Sequence, residues 1–214
     1  EQRALVDAEF VEKSWSDYIA SLPQERRLLL SRFRPTDIAL RVGGVGSVGT
    51  RCSILLLEGS APADAIILQQ KEAGPSALEA FLPQRTYTSH AHRVVTAQRL
   101  LQASSDIFLG WHQSPLTETQ YYWRQLKDMK GSVDVEALDE VGLGTYLGVC
   151  SVCLARAHAR TGNPAAIAGY LGKNTTFDKA IADFALAYAD QTEIDHQSLV
   201  KAVESGRIKA QIGI

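Results

Sequence analysis

A glycine-rich stretch at positions 41–50, RVGGVGSVGT, contains the residues with the clearest chemical meaning. Gly44, Gly46 and Gly49 have the spacing G-x-G-x-x-G, in which the absence of side chains lets backbone N–H groups approach phosphate oxygens. A dinucleotide-binding fold requires a helix directly after such glycines. Residues 51–57 instead predict a strand, and a strand–loop–strand hairpin is the arrangement that covers ATP in protein kinases. A glycine-rich hairpin that binds no ligand is the alternative.

Lys71 also indicates phosphate chemistry, because it ends a mostly apolar segment, residues 65–71, that predicts the third strand. In the kinase pattern, a lysine on the third strand holds the nucleotide phosphates and pairs with a glutamate on the following helix. Residues 76–81 predict a short helix that contains Glu79, the expected partner, whereas Glu72 faces the other side of the strand. A solvated lysine and a solvated glutamate are the alternative. The expected nucleotide site consists of Gly44, Gly46, Ser47, Gly49, Lys71 and Glu79.

Several charged residues lie at and beyond the end of the predicted fifth strand, residues 120–126, namely Arg124, Lys127, Asp128 and Lys130. In a kinase-like chain order, this segment is the hinge between the two lobes, and its backbone contacts the adenine. A solvated loop is an equally good interpretation. The hinge candidates are Gln125, Leu126, Lys127 and Asp128.

Other reactive side chains carry weaker signals. Cys150 and Cys153 have the C-x-x-C spacing of redox and zinc sites, but they lie inside a predicted helix without a second pair, which favours ordinary core thiols. His158 lies near the end of the same helix, where a histidine interacts favourably with the helix dipole. A further set, better explained as a solvated helix face than as a metal site, is Asp190, Glu193 and His196. The sequence therefore predicts no metal ligand, and the catalytic residues stay unknown.

The elements that must position these residues can be read from hydrophobic periodicity and from turn residues. Residues 4–33 predict helices, and a sheet region follows, with strands joined by short turns that favour antiparallel pairing. The predicted strands are 38–42, 52–57, 65–71, 107–111 and 120–126. The other predicted helices are 91–103, a long buried helix at 143–160, and one or two helices in 176–203.

This order predicts an α+β fold. Its centre is an antiparallel five-stranded sheet lobe resembling the N-terminal lobe of a kinase, and helices flank this lobe. The expected divisions are N-terminal helices in residues 1–36, the sheet lobe with its glycine loop in residues 37–130, and an all-helical part in residues 131–214.

Composition narrows the classes of partner. The 214 residues contain 22 Lys and Arg against 24 Asp and Glu, a net charge of −2, whereas nucleic acids and anionic membranes usually recruit a basic excess. No apolar run reaches the roughly 18 residues that a membrane span needs. Three cysteines do not make a disulfide framework, which favours a reducing cytoplasm. Because the first residue is not Met, we expect a processed chain or a piece of a longer one.

Five short segments in the same order resemble a bacterial family of uncharacterised proteins, domain of unknown function 2252. They span nearly the whole chain, at residues 42–51, 68–73, 124–131, 154–160 and 188–192. The family has no established activity. Its members are usually longer, and their N-terminal half carries a Gly-Asp-x-His-x-x-Asn-like motif and an Asp-rich motif that resemble the catalytic loop and metal-binding aspartate of aminoglycoside-phosphotransferase-like kinases.

This resemblance implies a permuted kinase-like fold whose catalytic motifs lie before the glycine loop and outside these residues. Residues 162–171, where an ordinary kinase would carry the catalytic loop, contain neither His nor Asp. The expected function is the ATP-binding portion of a kinase-like phosphotransferase, with Mg²⁺ bound alongside ATP and a small molecule or protein as acceptor. The alternative is a non-catalytic interaction module that keeps the same fold.

Overall fold

The computed structural model describes residues 8–41, 49–61, 63–82, 89–126 and 131–210, with side chains described from residue 12 onward. The chain forms two compact units, Glu1–Thr161 and Gly162–Ile214. The first contains the sheet and the second is helical. The three-part division expected from the sequence stays a prediction. None of the helices within the described ranges combines the length and the apolar character that crossing a bilayer requires.

Two helices precede the sheet, as the apolar spacing predicts. Helix α1 covers Ala8–Ala20 and α2 covers Gln24–Leu30. Pro23 separates them, because proline is tolerated at the start of a helix but not within one. Tyr18, at 0% exposure, lies on the apolar stripe of α1 that faces the sheet.

The sheet has five strands within the described residues: β1 (Arg34–Leu40), β2 (Cys52–Glu58), β3 (Ala65–Glu72), β4 (Gly110–Gln113) and β5 (Gln120–Gln125). Their order is β1-β2-β3-β5-β4, and every neighbouring pair is antiparallel. Helix α3 (His90–Leu101) lies between β3 and β4 along the chain. The predicted α+β class with a five-stranded antiparallel sheet is confirmed.

One face of the sheet packs against α1 and α2 and forms the core of the first unit. The buried residues of this core are Tyr18, Leu22, Leu30, Leu55, Leu57, Leu68, Phe108 and Trp123. Complete burial of a side chain of this size stabilises the fold by about 1.5–3 kcal/mol. Gly110 allows the close approach of α1, since a β-carbon there would lie 2.7 Å from both Ser21 Oγ and Tyr18 Cε2.

Three predicted elements differ from the structure. Residues 76–81 contain turns and no helix, because the Glu79 carboxylate accepts the Ser76 N–H and the Ser76 hydroxyl accepts the Leu78 N–H, which satisfies this backbone locally. Strand β1 begins at Arg34, before the predicted residue 38. Strand β4 begins at Gly110, because Asp106 accepts the Phe108 N–H and holds the preceding residues in a turn.

The later part of the chain is helical, as predicted. Helix α4 (Glu140–Thr161) lies in the first unit, and α5 (Pro164–Leu171) and α6 (Thr176–Glu204) lie in the second. Residues 176–204 form one helix. The expectation that α4 is buried is wrong, since none of its described side chains is buried. Apolar residues on every side of a helix predict that the helix is buried. Burial also requires neighbouring elements that cover each side, and the sequence of the helix does not show whether they are present.

Candidate functional site

The end of the glycine-rich stretch lies beside Lys71. Gly44, Gly46 and Ser47 lie outside the described residues, but Gly49 has a φ of +80°, a left-handed conformation that favours glycine. Strand β2 begins three residues later at Cys52, whose directly opposed residue on β3 is Lys71. The pairing of β2 with β3 therefore brings the predicted phosphate-binding lysine to the end of the glycine stretch.

Glu72 fixes the start of β2 against the end of β3. Its carboxylate accepts the N–H of Arg51 at 3.0 Å, and its own N–H donates to the Arg51 carbonyl oxygen at 2.9 Å. A side-chain hydrogen bond with Tyr121 raises the pKa of the exposed Arg51 guanidinium, and the charge of Glu72 contributes in the same direction. Glu72 directly follows Lys71 on β3, so the two residues lie on opposite faces of the strand, as predicted.

A second cation, Arg124, shares the sheet face of Lys71. Lys71 is directly opposite Tyr122, so Arg124 is a diagonal neighbour, a relation in which Cα atoms lie about 7–8 Å apart. The Arg124 guanidinium donates from Nε and Nη2 to Gln69 Oε1 at 3.2 and 3.1 Å. Gln69 is buried and donates in turn to Cys52 Sγ. Arg124 is thereby held in place by a network that crosses three strands.

Tyr122 is directly opposite Lys71 and two residues before Arg124 on β5, so it contributes its side chain to the same face. Burial raises the pKa of Tyr122, although the positive charge of Arg124 acts in the opposite direction. The phenol therefore stays neutral at pH 7. This face, defined by Gln69, Lys71, Tyr122 and Arg124, is called the cationic face below.

Glu79 contacts the first turn of α3. Its Oε1 atom lies 3.5 Å from Arg93 Nε and 3.5 Å from His90 Nδ1. Arg93 also donates from Nη2 to the carbonyl oxygen of Gly74. These contacts fasten the turn at 76–79 to α3, which itself has no acidic residue. The pairing of Glu79 with Lys71 stays a prediction.

The hinge candidates end β5, and two of the four lie in the described ranges. The Gln125 N–H donates to Asp106 Oδ2 at 2.9 Å, and the Leu126 N–H donates to the Ile67 carbonyl oxygen at 2.8 Å. Both N–H groups that a hinge would present to an adenine are therefore bonded within the protein. Lys127 and Asp128 lie outside the described residues, and the hinge assignment stays a prediction.

The candidates on α4 and α6 are separate from the cationic face along the chain, whereas Cys52 is directly opposite Lys71 on β3. Cys52 is a free, buried thiol, and Cys150 and Cys153 are free on α4. His158 is exposed in the last turn of α4. Across the described ranges, no three metal-binding side chains come together. The exposed α6 residues considered as a metal site are Asp190, Glu193 and His196.

His112 is a buried titratable residue that no sequence pattern indicated. It is 1% exposed, accepts the Trp123 indole N–H on Nδ1 at 2.8 Å, and stacks on Tyr121 with ring centroids 5.4 Å apart. Burial lowers the pKa of His112 to about 4, with a small opposing effect of Asp17. His112 is therefore neutral at pH 7 with its proton on Nε2. Short strands such as GWHQ carry too little periodicity to reveal this burial.

Comparisons with known proteins identify a family. No curated protein and no solved structure matches the chain. A family model described as "Uncharacterized protein conserved in bacteria (DUF2252)" matches residues 6–202, which is most of the chain. The same segments that suggested this resemblance fall within the match. The chain therefore belongs to the DUF2252 family of bacterial proteins.

Proposed function

We propose that this chain is the ATP-binding portion of a kinase-like phosphotransferase. The observation that carries the proposal is the position of Lys71 on the third strand. Lys71 is directly opposite Cys52, the first residue of β2, and Cys52 comes three residues after Gly49. A glycine loop between the first two strands and a lysine on the third strand are the parts that hold the phosphates of ATP in protein kinases.

The charge of the cationic face supports the same proposal. Lys71 and Arg124 bring two positive charges to one face, and Tyr122 adds a neutral hydroxyl donor to the same face. A triphosphate is a polyanion, so it gains from two cations and from hydrogen-bond donors at this spacing. Each hydrogen bond to a charged group contributes about 1.5–3 kcal/mol. Arg124 thus extends the nucleotide site predicted from Gly44, Gly46, Ser47, Gly49, Lys71 and Glu79.

The reaction of the complete protein would be phosphoryl transfer. An acceptor oxygen would form a bond to the γ-phosphorus while the bond to the β,γ-bridging oxygen breaks and ADP leaves. The described residues include no cluster of acidic side chains suited to Mg²⁺. We therefore assign none of them to the metal, to a catalytic aspartate or to the acceptor site.

The second candidate is a non-catalytic interaction module with the same fold. Two observations favour it: α3 carries no glutamate to pair with Lys71, and the N–H groups of Gln125 and Leu126 are already bonded. For either function, three free cysteines fit a reducing compartment, and cytoplasmic location is part of the proposal.

Thermal unfolding with Mg·ATP separates the two candidates. A ligand at about 100 times its dissociation constant adds about 2.7 kcal/mol to the free energy of unfolding. We expect Mg·ATP to raise the Tm and adenosine, which lacks phosphates, to have a much smaller effect. An unchanged Tm at millimolar Mg·ATP would favour the interaction module.

A further inference from the structure

A buried amide holds the guanidinium of Arg124. Gln69 is 4% exposed and lies directly opposite Arg124 in the pairing of β3 with β5. Its Oε1 atom accepts hydrogen bonds from Arg124 Nε and Nη2, and its Nε2 atom donates to Cys52 Sγ at 3.4 Å. A guanidinium has only donors, so the amide oxygen must face Arg124 and the amide nitrogen must face the sulfur. Both ends of the Gln69 amide are therefore fixed by their partners.

The partner that holds Arg124 is neutral. Within the described residues, the salt bridges involve other cations and none includes Arg124. The neighbouring phenol of Tyr122 does not balance the charge either, because burial raises its pKa and keeps it protonated at pH 7. Arg124 is half-buried, and a charged group that loses water is normally paired with an opposite charge. The charge of Arg124 is therefore available to an anionic ligand.

The hydrogen bonds to Gln69 use only one edge of the guanidinium. They occupy the Nε–H group and one of the two N–H groups on Nη2. The second N–H group of Nη2 and the two of Nη1 have no acceptor among the described residues. One N–H group on each of these two nitrogens points in the same direction, and this fork is the one with which arginine binds two oxygens of a phosphate. The position of Gln69 leaves this fork open.

We propose that Gln69 is a positioning residue that holds Arg124 for the phosphates of the ligand, a role that rests on the proposed ATP site. The amide fixes the guanidinium without neutralising it, so the open fork keeps its full charge. A glutamate at position 69 would accept the same hydrogen bonds as an ion pair and would balance that charge. A leucine would leave the charge but would not hold the side chain, and binding would then have to restrict it.

Titration calorimetry of the full chain with inorganic tripolyphosphate and Mg²⁺ tests the proposal. Gln69→Glu should weaken binding about tenfold and should reduce the dependence of the dissociation constant on salt, because Arg124 stays in place with its charge balanced. Gln69→Leu should weaken binding about threefold and keep the salt dependence, since the charge remains. In an Arg124→Gln background, Gln69→Leu should have no further effect, because Gln69 acts through Arg124.

Gln70→Glu is the matched control. Gln70 follows Gln69 on β3 and points to the opposite face of the sheet, where its Oε1 atom accepts the Ser53 hydroxyl at 3.3 Å. Glutamate keeps that acceptor and adds the same charge away from Arg124, so tripolyphosphate binding should change less than about twofold. Thermal unfolding checks that each variant is folded, and Gln69→Glu, which retains both acceptor bonds, serves if Gln69→Leu is not.

Three results would overturn the proposal: no binding of tripolyphosphate to the wild type, equal weakening by Gln69→Glu and Gln70→Glu, or equal weakening by Gln69→Leu with and without Arg124. The ATP site has its own readout in the same titrations. If Mg·ATP binds no more tightly than tripolyphosphate, the adenosine part of the proposed function is wrong, and the expected effects of the Gln69 variants on tripolyphosphate would still establish the positioning role. If Mg·ATP binds tightly and the Gln69 variants match the wild type, the ATP site stands and the positioning role is wrong.

Discussion

Tyr18 on α1 donates a hydrogen bond of 2.7 Å from its hydroxyl to the carbonyl oxygen of Phe108, 90 residues away along the chain. The Tyr18 ring is fully buried and stacks on Trp123 with centroids 4.8 Å apart. Burial raises the pKa of Tyr18 far above its ordinary value, so the phenol remains a donor at any physiological pH. This bond joins the N-terminal helix to the segment that leads into β4.

Tyr18→Phe should lower the free energy of unfolding by about 1–2 kcal/mol, because the Phe108 carbonyl would lose a buried donor while the ring contacts remain. Urea unfolding followed by circular dichroism measures the change. Tyr170→Phe is the control, since Tyr170 is 78% exposed and should shift stability by less than about 0.5 kcal/mol. Equal stabilities of the two variants would show that the buried bond contributes little.

Gly110→Ala should destabilise the fold by about 1–3 kcal/mol, since the new β-carbon would lie 2.7 Å from Ser21 Oγ and Tyr18 Cε2 and 2.9 Å from Leu22 Cδ2. Gly148→Ala is the opposite case, because nothing lies within 4 Å of its β-carbon position and alanine stabilises a helix interior. Thermal unfolding should therefore lower the Tm for the first variant and raise it slightly for the second. A tolerated alanine at 110 would mean that α1 can move away from β4.

His112 should make stability depend on pH in the acid range. Its pKa is about 4 in the folded chain against 6.5 for the unfolded residue, so only the unfolded chain binds this proton between those values. The free energy of unfolding should therefore fall as the pH decreases from 6.5 to 4, by roughly 3 kcal/mol in total. Urea unfolding at several pH values gives the slope.

His112→Gln isolates this contribution, because carboxylates also titrate in the lower part of that window. We expect the variant to be less stable at pH 7 and to lose much of the wild-type slope between pH 6.5 and 4. His158→Gln, at an exposed position on α4, is the control. If the wild type and His112→Gln have parallel pH profiles, the buried imidazole does not control acid stability.

Lys71→Met should weaken ATP binding by roughly 10- to 150-fold, which corresponds to the loss of a charged hydrogen bond of about 1.5–3 kcal/mol. Methionine keeps a long apolar stem without the charge, so stability should change little. Lys173→Met, at an exposed position in the second unit, is the control. Titration calorimetry with Mg·ATP at fixed salt compares the three proteins, and equal dissociation constants would remove Lys71 from the proposed site.

Local sequence alone determined where most strands and helices form. The aliphatic run at Cys52–Glu58 and the alternation ending at Lys71 predict β2 and β3, because these signals lie within a few residues of one another. Pro23 similarly predicts the break between α1 and α2. The same local signals wrongly predicted a helix at residues 76–81. The Glu79 and Ser76 side chains accept backbone N–H groups there and hold the chain in turns.

The tertiary structure alone decided which of these elements meet. The pairing of β3 with β5 places Arg124 diagonally beside Lys71, and the docking of α1 brings the Tyr18 hydroxyl to the Phe108 carbonyl oxygen. Strand pairing and helix docking depend on the joint burial of apolar residues far apart along the chain, such as Leu22, Leu68 and Trp123. Short-range periodicity does not predict this long-range pairing. The cationic face and the burial of His112 could therefore be identified only in the folded structure.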